Sequence, residues 1–281
     1  MRHIYLFGLS LILVSWGTSK KLKLPKSYEY IPAGEVDIAG EIMEVNGFYM
    51  LNHEITNLEY CEFLFGLKTA GKDSLYHACF PDTAGWRQTG GYVEPMVEYY
   101  FTHPAYQNYP VVNAPAHGME QYCKWLTGVL RTKYGEKIPE ARIPSKAEWI
   151  HAAAGGLNEP TFPWGGPNVH NAKGEYLANF LVVGDHNIQL GENGPEIVQD
   201  STFQASLALL DHAFYTATAI SYAPNGYKLY NMSGNVAEYT SDGMARGGHW
   251  HSYGHDIRIL SEEPFEHPNP YTGFRPVIPF K

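Results

Sequence analysis

The chain has 281 residues with 29 acidic and 20 basic side chains, which gives a formal net charge of −9 at pH 7. Apart from a short KKLK run at 20–23 the basic residues are scattered, and this argues against nucleic acid as a partner. The 28 glycines, 19 prolines and 14% aromatic residues predict a loop-rich domain packed around aromatic rings.

The N-terminus has the pattern of an export signal. Arg2 and His3 precede an apolar stretch at 4–14, which is shorter than the roughly 20 residues that a membrane span needs. We therefore expect residues 1–19 to be a signal peptide, and the protein to be exported to the periplasm or the outer membrane. Trp16 stands where a bacterial lipoprotein carries its lipid-bearing cysteine. Membrane attachment through an uncleaved signal or a partner is left open.

A basic linker is expected over 20–27 and one domain over 28–281, because no repeat or low-complexity segment divides the rest of the chain. Near the start of this domain, YEYIPAGEVDI and NGFYMLNHEIT are typical of two short strands. The segment 71–109 shows no clear period and is expected to be a long ordered loop. Beyond about residue 156 the chain is expected to form turns and brief strands.

Three helices are predicted from capping residues and apolar spacing. Thr56 and Glu59 form a capping box that begins the first helix. Its buried stripe is expected to comprise Leu58, Cys61 and Leu64 or Phe65. The second helix, 116–134, is expected to bury one face made of Met119, Tyr122, Cys123, Leu126 and Leu130. The third begins at a second capping box, Ser145 with Glu148.

The chain has three cysteines, Cys61, Cys79 and Cys123, an odd number in a compartment that permits disulfides. The simplest arrangement is one disulfide and one buried thiol. Their spacing matches no CxxC metal or redox pattern, and two of them lie on the apolar face of a predicted helix. A reactive thiol needs an exposed, electropositive setting, so these cysteines are interpreted as structural.

The stretch PNGYKLYNMSGNVAEYTSDG combines a turn signal with oxygen donors. The NG pair at 225–226 is typical of a tight hairpin turn, since both residues tolerate positive φ. Asn231, Gly234 and Glu238 then fall where a compact loop can direct an amide oxygen, carbonyls and a carboxylate inward. Ca²⁺ accepts about six to eight such hard donors. The alternative is that the Asn and the Glu satisfy backbone donors of the loop.

Five motifs occur in a characteristic order: RIPSKAEWIHAA at 142–153, FPWGG at 162–166, NGYKLYNMSGNVAEYTSDG at 225–243, RGGHW at 246–250 and GFRPV at 273–277. In this order they resemble the formylglycine-generating enzyme (sulfatase-modifying factor) superfamily. The resemblance covers about residues 28–278. The intervening segment that begins PDTAGW and ends at YPVV is most similar to one branch, the gliding motility and type IX secretion lipoproteins K and J.

The resemblance implies an α+β, C-type-lectin-like fold with little regular secondary structure, a small mixed sheet and a few helices. It also implies two calcium sites. The first would use side-chain oxygens of Asn231 and Glu238 and the carbonyls of Gly234 and Val236. The second would use Asn179, the Phe180 carbonyl, Asp211 and the Ala213 carbonyl, on either side of a long insertion at 181–210.

The resemblance also implies which chemistry is missing. In the oxidase members two cysteines follow the Gly-Gly pair and bind copper as thiolates, because soft sulfur suits Cu(I). Counted from Gly247 and Gly248, those positions here are Ser252 and Ile257. The aromatic residue before the loop glutamate is changed to Ala237, which removes a wall of the substrate pocket. Formylglycine generation is therefore predicted to be absent, and copper is not expected.

The string RGGHWHSYGHD places His249, His251 and His255 within seven positions. An H-x-H-x3-H run can supply imidazoles to zinc or copper. The alternative is that these histidines hydrogen-bond to neighbouring carboxylates such as Asp256 and Glu262. Separately, Arg275 of the GFR motif is expected to pair internally rather than to form an anion clamp with Arg246 and Arg258.

Two functional classes remain. The preferred one is an exported, non-catalytic scaffold or binding protein, a pseudoenzyme of this fold, in the envelope machinery of gliding motility or type IX secretion. Its partner would be an envelope or secretion-machinery protein, or a glycan. The alternative is a divergent metal-dependent oxidase or oxygenase that uses the histidine cluster.

Overall fold

The computed structural model describes residues 22–182, 188–191, 194–197 and 213–280. The predicted signal peptide at 1–19, most of the insertion at 181–210, and Asp211 lie outside the described residues. Within the described ranges, no helix combines the length and the apolar character needed to cross a bilayer.

The secondary-structure elements are short and separated by turns. The strands in the described ranges are β1 (Tyr28–Ile31), β2 (Gly34–Ile38), β3 (Glu41–Val45), β4 (Phe48–Leu51), β5 (Ile188–Gly191), β6 (Gly194–Ile197), β7 (Ala237–Tyr239), β8 (Met244–Arg246), β9 (Glu262–Pro264), β10 (Thr272–Gly273) and β11 (Val277–Pro279). The α-helices there are α1 (Asn57–Thr69), α2 (Asp73–Cys79), α3 (Glu94–Tyr99), α4 (Ala116–Tyr134) and α5 (Lys146–Ala154).

The strands form two small sheets and two ribbons. An antiparallel sheet of order β1-β4-β11 places Met50 between Glu29 and Val277. A mixed sheet has the order β10-β7-β8-β9, in which only the β10–β7 pair is parallel. Antiparallel ribbons are formed by β2 with β3 and by β5 with β6. This arrangement confirms the predicted mixture of helices and small sheets.

Both capping boxes are confirmed, at Thr56 with Glu59 and at Ser145 with Glu148. The second helix also has the predicted bounds. The predicted buried stripe of α1 is wrong in part, because Leu58 is 44% and Phe65 69% exposed, although Leu64 is buried. The buried face of α1 instead comprises Asn57, Tyr60, Phe63, Leu64 and Leu67. Aromatic packing decides this choice, since Tyr60 stacks on Tyr122 of α4 with ring centroids 5.9 Å apart.

The segment 71–109 is not a long loop. It contains α2, α3 and two short 3₁₀ helices, Thr83–Thr89 and Pro104–Tyr106. Elements of three to seven residues are too short to show a helical period, and they are fixed by tertiary packing, such as that of Trp86 against Tyr100 at 4.8 Å. The two segments that were predicted to form strands contain β1, β2 and β4, whereas β3 was not predicted.

The three cysteines are all free thiols, so the expected disulfide is absent. Cys61 lies on α1 and directs its thiol at the Phe101 carbonyl, 3.8 Å away. Cys79 ends α2, and Cys123 is buried on α4. Burial raises the pKa of Cys79 to about 11 and raises that of Cys123 further, so both thiols stay protonated and unreactive.

The 225–226 pair does not form the expected hairpin turn, because neither residue has positive φ and the described residues 213–224 before it contain no strand. Asn225 is instead a helix cap. Its buried Nδ2 donates to the carbonyls of Ala152 and Ala153 at the end of α5, and its Oδ1 accepts from the Tyr227 and Leu229 N–H groups. Asn225 therefore donates hydrogen bonds to carbonyls at the end of α5 that have no partner within the helix.

Asn225→Ala is therefore expected to lower the free energy of unfolding by about 1–3 kcal/mol, because it leaves buried backbone groups without partners. Urea denaturation measures this change. Asn171→Ala is the matched control, since Asn171 makes similar turn contacts to Lys173 and Glu175 on the surface. Equal effects of the two substitutions would contradict the capping role.

Candidate binding cleft

A cleft of about 410 Å³ opens beside the Gly247–Gly248 pair. Strand β8 leads into the loop that forms one side, and β9 forms the other. The cleft is lined by Ala245, Gly248, His249, His251, Ser252, Tyr253, His255, Asp256, Arg258, Ser261, Glu262 and Glu263. The histidine motif therefore lines a depression in the surface, although His249 itself is buried.

Backbone crowding requires glycine at the start of this loop. Gly248 has φ of +65°, and a Cβ there would lie 2.6 Å from the Asp256 carbonyl oxygen. Gly247 has φ of +85°, and its carbonyl accepts a hydrogen bond from the Gly234 N–H. The cleft loop is thus joined directly to the 231–238 loop.

Ser252 and Ile257 occupy structural positions. Ser252 Oγ accepts a hydrogen bond from the His249 N–H at 3.0 Å, and its own N–H donates to the His249 carbonyl. Ile257 is fully buried against Phe162 and Phe180. All three cysteines lie on α1, α2 or α4, and none lines the cleft. The cleft therefore contains no thiol.

His249 and His251 both pack on Tyr271, whereas His255 contacts Arg258. His249 is buried, its Nδ1 accepts from the His251 N–H at 3.1 Å, and its ring lies 4.5 Å from Tyr271. His255 Nε2 accepts from Arg258 Nη2 at 2.5 Å, on the exposed side of the loop. In the part of the chain that the structure describes, no three His, Cys, Asp or Glu side chains are grouped so that they could hold a metal ion. This arrangement does not support the metal-dependent oxidase.

Burial controls the protonation of His249. Burial away from solvent is the larger cause and the neighbouring His251 the smaller one, and together they lower the pKa of His249 from 6.5 to about 3. With Nδ1 accepting, the single proton of the neutral ring is on Nε2, which lies 3.7 Å from Glu263 Oε1. His249 is therefore neutral near pH 7 and braces the loop through its ring and Nδ1.

The arginines do not form an anion clamp. Arg246 is buried and pairs with Asp242 at 2.6 Å and with Glu262. Arg275 is fully buried and pairs with Glu238 at 2.5 Å, which confirms the expected internal role. Arg258 is held by His255. Each guanidinium already has a partner in the protein.

In the first predicted calcium loop, the carboxylate already has partners within the protein. Glu238 is buried and accepts from Arg275, and also from Trp149 Nε1 at 2.9 Å. Asn231 Oδ1 and Ser233 Oγ are buried without a partner in the structure. The loop therefore offers neutral oxygen donors that suit Ca²⁺, whereas its carboxylate is neutralised by a guanidinium.

The second predicted calcium site is only partly within the described residues. Asn179 Nδ2 donates to the Tyr215 carbonyl at 2.7 Å and to Asn235 Oδ1 at 3.3 Å. Phe180 is buried, and Ala213 begins the segment that follows the gap. Asp211, the only predicted carboxylate, lies outside the described residues.

Two polar residues that connect this region, Glu54 and Asn235, were not predicted from the sequence. Glu54 is fully buried and accepts from Asn231 Nδ2 at 3.0 Å and from Asn235 Nδ2 at 2.9 Å. Burial raises the pKa of Glu54 to about 8, although the nearby charge of Arg275 opposes the rise. The neighbours of Glu54 along the chain include Asn52, His53 and Thr56, so the local sequence carried no signal that Glu54 is buried.

Solved structures of other proteins share the fold. CarF superposes with a TM-score of 0.56 at 16% identity, covering 90% of this chain and 98% of that one. PvdO from Pseudomonas aeruginosa gives 0.54 at 18% identity, covering 89% of this chain and 93% of that one. At such identities the likeness establishes the architecture alone.

Sequence comparison identifies related enzymes. The formylglycine-generating enzyme of Mus musculus is 27% identical over 255 residues, which are 82% of this chain and 55% of that protein. The enzyme of that name from Thermomonospora curvata is 26% identical over 190 residues, 68% of this chain and 52% of that protein. The chain thus spans about half the length of these relatives. The sequence model of the sulfatase-modifying factor enzyme 1-like domain matches residues 25–279, and the chain belongs to that family.

Proposed function

We propose that this protein is an exported, non-catalytic binding protein that uses the sulfatase-modifying factor fold to hold a protein partner. The observation that supports this most is the chemistry at Ser252 and Ile257. A copper-dependent oxidation of cysteine needs two thiolates at these positions, by resemblance to the oxidase members. A serine hydroxyl is a poor ligand for Cu(I), and isoleucine has no donor atom.

The side chains that replace the thiols also have other structural tasks. Ser252 closes the turn at His249, and Ile257 packs in the core beneath the loop. The fold would therefore be retained for the shape of its surface.

The cleft suits a polar or basic side chain of a partner. No ion pair with Lys or Arg is formed by Asp256 or Glu263 among the described residues, and both line the cleft. Their carboxylates would attract a cation, and electrostatic complementarity favours rapid and specific association. We infer that the partner is an envelope protein of gliding motility or type IX secretion, in keeping with the branch that 81–112 resembles.

Photo-crosslinking tests this proposal. A photoreactive residue at position 253, in the cleft, is expected to crosslink one and the same envelope protein in repeated experiments with intact cells. A photoreactive residue at the control position of Tyr92, which is 83% exposed and outside the cleft, is not expected to crosslink that protein. Asp256→Asn with Glu263→Gln should abolish the crosslink. A crosslinked glycan instead of a protein, or equal crosslinking from both sites, would contradict the proposal.

We also propose that the 231–238 loop binds Ca²⁺ through the free oxygen donors of Asn231 and Ser233. An ion that binds only the folded state stabilises it by mass action. A calcium chelator is therefore expected to lower the melting temperature, and added Ca²⁺, but not Mg²⁺, should restore it. An unchanged melting temperature would contradict calcium binding by this loop.

A further inference from the structure

The ribbon formed by β2 and β3 has an uncompensated acidic face. The register pairs Glu35 with Glu44 and Asp37 with Ile42, so these four side chains share one face. Like charges directly opposite each other destabilise a strand pair. No ion pair among the described residues involves any of these three carboxylates.

The opposite face of the ribbon anchors it to the protein. Val36 and Ile38 pack against the core cluster that includes α5. His151 of α5 approaches Gly34 so closely that a Cβ there would lie 2.6 Å from its ring, and His151 Nε2 lies 2.9 Å from the Pro32 carbonyl oxygen. The ribbon is therefore held in place, and its acidic face is directed away from the core.

Strand β3 is an open edge. In the described part of the chain, β2 and β3 pair only with each other. Residues 41–44 of β3 are all exposed, including Ile42 at 67% and Met43 at 38%. Natural proteins usually cover or charge such an edge, and a partner strand can add to it through main-chain hydrogen bonds.

A groove of about 670 Å³ lies beside β2 of the ribbon, and β3 contributes Ile42 to its lining. Its apolar lining includes Ile150, Leu157, Tyr227, Ile259 and Leu260. Leu157 and Leu260 are 47% and 57% exposed. Glu35, Asp37 and Glu159 also line it, whereas none of its described lining residues is Lys or Arg.

We propose that β3 binds an extended segment of another protein in which lysine or arginine alternates with apolar residues. Added to the edge of β3 as a third strand, such a segment would place its basic side chains on the face that carries Glu44 and Glu35. Its apolar side chains would lie on the opposite face, beside Met43, which is 38% exposed. The acidic face disfavours a second copy of this chain, because two such ribbons would repel each other. This surface is separate from the cleft, and the proposal does not depend on what the cleft binds.

A synthetic peptide tests the proposal directly. The probe is a fluorescein-labelled peptide, Val-Lys-Val-Lys-Val-Lys-Val, and its binding to the full chain is followed by fluorescence anisotropy. Glu35→Gln with Glu44→Gln is expected to weaken binding about fivefold to tenfold, because two carboxylates that attract the lysines are removed. The control, Glu62→Gln with Glu136→Gln, makes the same change of charge at exposed positions elsewhere and should leave binding unchanged.

Three outcomes would overturn the proposal. One is equal weakening in both double variants, which would indicate general charge attraction. Another is equal binding of a block peptide with the same composition, since only alternation suits a strand. The third is a dimer of the protein that becomes stronger in the Glu35→Gln, Glu44→Gln variant. The melting temperature of that variant should be at or above wild type, because a like-charge pair is removed, so loss of folding would not explain weaker binding.

Discussion

Arg275→Met is expected to lower the free energy of unfolding by about 3–5 kcal/mol, because it leaves the buried carboxylate of Glu238 without its cation. Arg275 also donates to the Tyr230 and Leu51 carbonyls, and these acceptors would lose a partner. Urea denaturation in calcium-free buffer measures the change. Arg275→Met combined with Glu238→Gln should recover part of the loss, because no buried charge then remains.

Arg142→Met is the matched control for the buried pair. Arg142 pairs with Glu148 at 2.7 Å, but its side chain is 44% exposed, and such pairs contribute less than about 1 kcal/mol. If Arg275→Met and Arg142→Met lower the free energy of unfolding by similar amounts, burial does not make the Glu238–Arg275 pair more important for stability than an exposed pair.

Acid is expected to destabilise the protein through His249. Because burial lowers its folded-state pKa to about 3 from 6.5, the unfolded chain binds a proton that the folded chain does not. The stabilisation is complete above about pH 6.5 and is lost as the pH falls toward 3, by roughly 2–4 kcal/mol at pH 4. His249→Asn keeps an acceptor for the His251 N–H and cannot titrate, so its stability should fall less between pH 7 and pH 4.

His103→Asn controls for the loss of a histidine. Its Nδ1 accepts from the Ala105 N–H, two residues on, as His249 Nδ1 does from His251, but His103 is exposed. The pH dependence of unfolding should match wild type in His103→Asn. A wild-type slope in His249→Asn would show that His249 is accessible to protons in the folded protein.

Features set by local chemistry were predictable from the sequence. The capping boxes at Thr56 and Ser145 formed as expected, because an N-cap hydroxyl and a Glu three residues later need no tertiary partner. Helix α4 has its predicted bounds because nineteen residues are long enough to show a helical period. The ordered motifs predicted the family to which the chain belongs, and one of them contains the turn that requires Gly248.

Features set by tertiary contacts were not predictable. The buried face of α1 is chosen by aromatic partners on α4, and the short helices of 71–109 are held by rings such as Trp86. Asn225 resembles a turn residue locally, but its partners lie on α5, more than seventy residues away. Cysteine pairing depends on distances between helices, which spacing along the chain does not reveal.

The sequence predicted several residues of the candidate site, but not the partners that these residues contact. The motif at 246–256 does line a cleft, yet His249 and His251 pack on Tyr271 and His255 contacts Arg258, so the described histidines form no metal site. Glu238 was expected to offer oxygen to a cation and is paired with Arg275. In both cases the competing partner comes from a distant part of the chain.

The most direct test of the central claim is incubation of the purified protein with Cu(I), oxygen and a cysteine-bearing peptide, followed by mass spectrometry and by labelling of aldehydes with a hydrazide. The protein is expected to leave the thiol unchanged, while a formylglycine-generating enzyme assayed in parallel converts it. Formation of an aldehyde by this chain, above a protein-free control, would contradict the account, because it would require copper chemistry without a thiol in the cleft.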